Sequence, residues 1–284
     1  MASRFSLWKR PLLEAYYYAT LPLRRWQTQA ASRAGRAAVM VIFYHRVADE
    51  TPNDWTISRR YFTRQIDWLA ENFDLVSLSE AQDRLRTGNP RPAVSITFDD
   101  GYADNSDFAL PLLIERQIPC TYFVASDFVI RGEPFPHDVA AGAPLAPNTI
   151  EQLRELAAAG VEIGGHTRTH ADLGRLASRA HLHDEIVGGR DALQDALGCE
   201  IRYFAFPYGL LQNLSPVAFE VCRRTGFAGV CSAYGGYNFP GDDPFHLQRI
   251  HADPQLLRLK NWLTVDPRKR RVGREVGAQV DLTT

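Results

Sequence analysis

The stretch Ile96-Thr97-Phe98-Asp99-Asp100-Gly101-Tyr102 closes a short β-branched and apolar run, Val94 to Phe98, with two adjacent carboxylates and a glycine. A run of that composition reads as a buried strand, and Gly101 ends it. Two neighbouring acids at the end of a buried strand are costly unless something stabilises their charge. A second segment offers the partners: His166-Thr167-Arg168-Thr169-His170 follows another apolar run, Val161 to Gly165. One aspartate and two histidines make a three-ligand metal site with a position left open for water. The other aspartate is then free to act as a base.

Working outward, seven strand-like runs appear: Val39–Tyr44, Val94–Phe98, Cys120–Val124, Val161–Gly164, Tyr203–Phe206, Ala228–Cys231 and Leu247–Ile250. Helical signals lie between them. Phe62, Ile66, Leu69 and Phe73 recur at three and four residues, and Asn148 stands three before Glu151 as a capping pattern. Ser215-Pro216 reads as an N-cap followed by a first-turn proline, and His181 to Leu197 as a longer helix weakened by Gly188-Gly189. Strands alternating with helices predict parallel β/α units. Seven units suit a closed barrel, with an open sheet as the alternative. The polar residues leaving these runs are His45, Asp99-Asp100, Ser126-Asp127, His166, Pro207-Tyr208, Ser232 and His251, all at C-terminal ends. In a parallel barrel those ends share one face, where chemistry is built. Arg131 to Pro147, rich in Gly, Pro and Ala, is a candidate rim of a substrate groove, and its His137-Asp138 could touch substrate.

The 284 residues allow one large domain or two small ones, and the hydrophobic fraction of 45% gives ample material for a core. A net charge of −1 argues against a nucleic-acid partner. Cys120, Cys199, Cys222 and Cys231 form no CxxC pair, which suits a reducing compartment, and Cys120 and Cys231 in strand-like runs read as small buried hydrophobes.

A histidine pair four residues apart is common on surface helices, but here His166 sits at a strand end and His170 on the loop beyond. With Asp100 the set has the Asp-His-His character of Zn²⁺ or a similar divalent ion. Successive side chains diverge, so Asp100 coordinates while Asp99 stands beside the water, kept ionised by the cation.

Three segments in order, Thr97-Phe98-Asp99-Asp100-Gly101-Tyr102, His166-Thr167-Arg168-Thr169-His170 and Phe204-Ala205-Phe206-Pro207-Tyr208-Gly209, resemble the first three motifs of the polysaccharide deacetylases, the NodB-homology group of carbohydrate esterase family 4. Phe43-Tyr44-His45-Arg46-Val47 is similar to the Tyr-His motif of the exopolysaccharide subgroup. The resemblance implies an α/β protein with a distorted (β/α)7-type barrel, the NodB-homology fold. It implies removal of N-acetyl groups from amino sugars of a polysaccharide or glycan precursor. In that reading Asp99 is the catalytic base, and Asp100, His166 and His170 hold a divalent metal, Zn²⁺ foremost. The Tyr208 N–H would donate to the oxyanion, and a histidine would protonate the leaving amine. Two departures stand out. The arginine that orients the base in the family's third motif is replaced by Ala205, leaving Arg202, Arg168 and Arg249 as substitutes. The family's closing Leu-His-Asp is Arg249-Ile250-His251-Ala252-Asp253 here. His45 is therefore the first choice as general acid and His251 the second.

Residues 37–265 form the expected catalytic domain, preceded by a segment 1–36 and followed by a polar, basic and mobile tail, 266–284. Leu12 to Leu23 is apolar and aromatic, too short to span a bilayer and interrupted by Glu14 and Pro22, without the features of a signal peptide. Flanked by Trp8, Lys9, Arg10, Arg24, Arg25 and Trp26, it reads either as a helix packed on the domain or, through residues 8–26, as a peripheral membrane contact. The expected location is the cytoplasm or the cytoplasmic membrane face. Two competing functions keep the fold but change the role: a hydrolase of a small amide or imide, and a silent glycan-binding module.

Overall fold

The computed structural model describes residues 9–268. Among them seven parallel strands close a barrel: β1 Val39–Tyr44, β2 Ala93–Phe98, β3 Cys120–Val124, β4 Glu162–Gly165, β5 Tyr203–Ala205, β6 Gly229–Ser232 and β7 His246–His251. β1 pairs with β2 on one side and β7 on the other, so the ring is complete. The expected barrel is found, each strand within two residues of its sequence run. Its distortion is local. Asp74–Leu75 lies along Ala93 and Val94, the part of β2 that β3 leaves open by starting opposite Ile96. At the opposite extreme, β4 and β5 share one register pair, Gly165 with Phe204.

Side chains alternate across each strand. Val39 and Val41 cluster with Phe123, Tyr203, Ala205, Cys231 and Leu247 inside the barrel, where Leu78, Ala81 and Leu85 of helix Leu78–Thr87 close the lower end. Met40, Ile42 and Tyr44 face outward into the larger core with Phe62, Ile66 and Leu69 of helix Arg59–Asn72. Each such fully buried side chain contributes about 1.5–3 kcal/mol.

Capping follows the side-chain oxygens. Ser215 caps the helix that Pro216 opens. The box at the next barrel helix is Thr149 with Gln152, one residue beyond the expected Asn148 and Glu151. Asn148 is instead buried against Ser106 and Tyr122. The expected helix over 181–197 is interrupted: Arg179–His183 and Gly189–Leu197 are joined by a π-helical turn, Asp184–Gly188. The reason is a close approach. A Cβ at Gly189 would stand 2.9 Å from the backbone nitrogen of Arg168 and 3.1 Å from its Cα. Gly189→Ala is therefore expected to cost about 1–3 kcal/mol and to push the 166–170 loop, weakening divalent-metal affinity as well. Unchanged melting temperature and metal titration would show that the contact is loose.

The N-terminal segment forms one helix, Lys9–Arg33, docked on the domain. Arg24 is buried and donates to the Asn261 carbonyl at 2.8 Å, and the Tyr16 hydroxyl donates to Asp266 at 3.0 Å. Asp266, first residue of the expected tail, is thus buried. The rest of that tail beyond Arg268, and Trp8, lie outside the described residues. No helix among the described residues is long and apolar enough to cross a membrane.

Candidate active site

Alternation along β2 sends Val94, Ile96 and Phe98 into the outer core and leaves Ser95, Thr97 and Asp99 facing the barrel axis. The Asp99 N–H continues the β1–β2 ladder by donating to the Tyr44 carbonyl at 2.9 Å. At the next residue the backbone reverses: Asp100 has φ +77° and Gly101 φ +96°. This turn separates the two carboxylates as the sequence demanded.

Asp100, His166 and His170 bring one ligand atom each within 4.8 Å of one another. Asp100 Oδ1 is buried, accepts no hydrogen bond among the described residues, and lies 3.5 Å from His166 Nε2 and 3.3 Å from His170 Nε2. Donor atoms bound tetrahedrally to one ion at ordinary zinc distances stand about 3.4 Å apart. The three residues therefore fit a divalent cation. Burial alone would push the Asp100 carboxyl up, but the two imidazoles override it and hold it well below the usual range. His166 Nδ1 donates to the Ala205 carbonyl at 2.8 Å, which turns Nε2 toward Asp100.

The loop between the histidines is held by a residue the sequence reading missed. Glu185, buried in the π-helical turn, accepts from the Arg168 and Thr169 N–H groups at 3.1 and 3.0 Å and from the Thr169 hydroxyl at 2.7 Å. From the other side, the Ser126 and Asp127 N–H groups donate to the Thr167 and Arg168 carbonyls. Thr167, His170 and Tyr208 all have positive φ, at +61°, +59° and +62°. With Asp100 they make four of the seven such non-glycine residues among those described, so backbone strain of roughly 1–3 kcal/mol each is concentrated here.

The question left by Ala205 has a geometric answer. Arg249 is fully buried and grips Asp99 with both arms, Nη1 to Oδ1 at 2.6 Å and Nη2 to Oδ2 at 2.9 Å. Its remaining donors reach Thr97 Oγ1 and the Ser232 carbonyl, and its plane lies near the Phe43 and Phe123 rings. Burial pushes the Asp99 carboxyl up, yet Arg249 and the His166 imidazole outweigh it and hold it below its ordinary value. Arg168 pairs with Asp127 and Asp184 instead, and Arg202 approaches Glu162 at the opposite end of the strands.

His45 and His251 stand side by side, ring centroids 6.2 Å apart, because strand register sets Phe43 opposite His251. Burial lowers His45, partly offset by Asp100 and Asp99. It lowers His251 to about 4, with His45 and Arg258 acting in the same direction. Of the two, His45 has the site carboxylates as its main electrostatic partners. Asn105, also missed in sequence, fixes it by donating to the His45 carbonyl at 2.6 Å while accepting from the Val47 N–H. Trp55 lies 4.8 Å from the His45 ring, and Tyr208, more than half exposed, lies 5.1 Å from His170. The 131–147 loop reaches this mouth too. Phe135 packs between His137 and His170, while Asp138 is buried and accepts from the Tyr102 hydroxyl.

Comparison with known proteins places this geometry. The structure of IcaB from Ammonifex degensii superposes with a TM-score of 0.67 at 29% identity, covering 80% of this chain and 97% of that one. The chitooligosaccharide deacetylase of Bradyrhizobium sp. is 30% identical over 123 residues, 42% of this chain and 47% of that protein. The poly-beta-1,6-N-acetyl-D-glucosamine N-deacetylase of Escherichia coli K12 is 32% identical over 138 residues, 45% of this chain but 20% of that protein. The sequence model of the polysaccharide deacetylases matches residues 86–229, just over half of the chain. That span holds the Asp99-Asp100 turn, the two-histidine loop and the Tyr208 turn in order, and it makes this chain a member of the polysaccharide deacetylase family.

Proposed function

We propose that this chain is a metal-dependent hydrolase that removes N-acetyl groups from amino sugars of a polysaccharide or glycan precursor. The observation that carries the reading is the division of the aspartate pair: Asp100 faces two imidazoles with an unpaired oxygen, while Asp99 is clamped beside it by Arg249. Asp100, His166 and His170 would hold the divalent ion, Zn²⁺ by its donor set, which supplies an acidified water and a polarised acetamide carbonyl when bound. Asp99, kept ionised by Arg249, accepts the proton of the attacking water. The Tyr208 N–H, presented by a strained left-handed turn, donates to the developing oxyanion. His45 hands a proton to the departing nitrogen. An imidazole held below its ordinary value releases a proton more readily once it carries one.

Exposed Trp55 and Tyr208 flank the mouth and offer apolar faces to sugar rings. The chitooligosaccharide and the poly-beta-1,6-N-acetyl-D-glucosamine in the names of the two curated relatives support that substrate class. The Arg249 clamp weighs against a silent binding module, because it supplies what Ala205 removed. The test is metal content and acetate release on one purified sample, with N-acetylglucosamine oligomers against small cyclic amides as substrates. His45→Asn is expected to slow acetate release about 10²-fold, and His251→Asn far less. Oligomers left intact by the metal-loaded protein would overturn the substrate assignment, and a larger loss in the His251 variant would exchange the two histidines.

A further inference from the structure

The helix Lys9–Arg33 carries apolar side chains on both its domain-facing and its outward side. Its domain-facing side mixes apolar and polar groups: Tyr17 and Arg24 are buried, Leu13, Tyr16, Thr20, Leu21, Gln27 and Thr28 are partly buried, and Arg24 and Tyr16 are tied by hydrogen bonds to Asn261 and Asp266. Its outward side is apolar. Leu12, Tyr18, Leu23 and Trp26 are 71%, 64%, 56% and 66% exposed, and exposed Ala15, Ala19 and Pro22 lie between them. Steps of three and four residues put these side chains on one stripe about 20 Å long. Surface helices of globular proteins turn polar residues outward, so an outward apolar stripe of this size marks an interaction surface.

Charge identifies the cover. The helix carries five basic residues and one acidic one in a chain of net charge −1. The basic residues bracket the stripe, with Lys9-Arg10 in sequence before Leu12, and exposed Arg25 and Arg33 at the far end. The C-terminal segment adds to them. Arg268 lies 4.0 Å over the Tyr16 ring of the same helix. Two copies joined through this stripe would bring cationic ends together in either direction of pairing, which like-charge repulsion opposes. An anionic lipid surface neutralises both ends and accepts the apolar stripe, and Tyr18 and Trp26 are the side chains that settle at such an interface.

We propose that the outward face of helix Lys9–Arg33 is a membrane-docking surface, lying in the headgroup layer of an anionic bilayer and tethering the barrel to it. The test is sedimentation of the full chain with vesicles of phosphatidylcholine mixed with phosphatidylglycerol, and with vesicles of phosphatidylcholine alone. The full chain is expected to bind the anionic vesicles and to be released by salt. A variant combining Leu12→Ser, Tyr18→Ser, Leu23→Ser and Trp26→Ser is expected to bind at least about tenfold less, with unchanged melting temperature and unchanged acetate release from soluble oligomers. Equal binding by parent and variant, or no binding by the parent, overturns the proposal. So does a parent that is dimeric in solution and made monomeric by the four substitutions without vesicle binding, which would assign the stripe to a second copy.

Discussion

Asp99→Asn is expected to bind divalent metal as tightly as the parent while releasing acetate about 10³-fold more slowly. The two halves of this expectation rest on different atoms. Metal affinity is expected to follow Asp100, His166 and His170, where the Asp100 oxygen lies 3.3–3.5 Å from the two histidine nitrogens, and not Asp99. Turnover needs a carboxylate to take up a proton, and an amide of the same shape cannot do so. The substitution also removes one acceptor from Arg249, so a modest drop in melting temperature accompanies the rate loss. Metal content, melting temperature and acetate release must therefore be read on the same sample. Parent-like turnover would take Asp99 out of the mechanism. Lost metal would move it into the ligand set.

Arg249→Met is expected to be the most destabilising single change at the site, by about 3–5 kcal/mol. It leaves the Asp99 carboxylate buried without its counter-charge, and chelation of metal should enlarge the effect. The pH dependence reverses with it. In the parent, Asp99 is held below its unfolded value, so its contribution is present above that value and lost as pH falls through the folded one. In the variant burial is opposed only by the more distant His166 and His45 charges and raises the carboxyl, so the folded state holds a proton that the unfolded state has released. Stability then falls as pH rises. Urea denaturation on either side of neutrality should show the variant closer to the parent in acid than in base. Adding Asp99→Asn to Arg249→Met should recover stability without recovering turnover. A single Arg249→Met variant as stable as the parent at all pH values would mean that the clamp carries no structural weight.

Much of the fold was legible because each barrel strand is a short apolar run with its polar residue at the C-terminal end. The clustering of Asp100, His166 and His170 was legible for the same reason, since all three lie just beyond such runs. What replaces the arginine at Ala205 was not. Choosing Arg249 over Arg168 and Arg202 requires barrel closure and the register that sets Val41 opposite both Arg249 and Ser95. Only then does an arginine two layers below Asp99 reach up to it. Glu185 escaped notice because it lies in a stretch of helical periodicity. Its signal was the glycine pair that follows, which lets the helix approach the Arg168 backbone closely. Asn105 gave no signal at all, because its partners at His45 and Val47 are about sixty residues away. The capping box slipped by one residue because Asn148 and Thr149 are both good caps, and the tertiary partners of Asn148 decided between them.

The single register pair between β4 and β5 makes that junction the weakest closure of the ring, and the site spans it. His166 leaves β4, and its ring fastens to the last residue of β5 through the Ala205 carbonyl. Whatever occupies the far nitrogen of that ring also holds the seam shut. Occupancy of the site and integrity of the barrel would therefore be coupled: an ion held there would favour the closed ring, and a ring that breathed at this seam would release it. A hydrolase built this way would monitor its own readiness, since the junction that assembles its ligands is the one most easily undone.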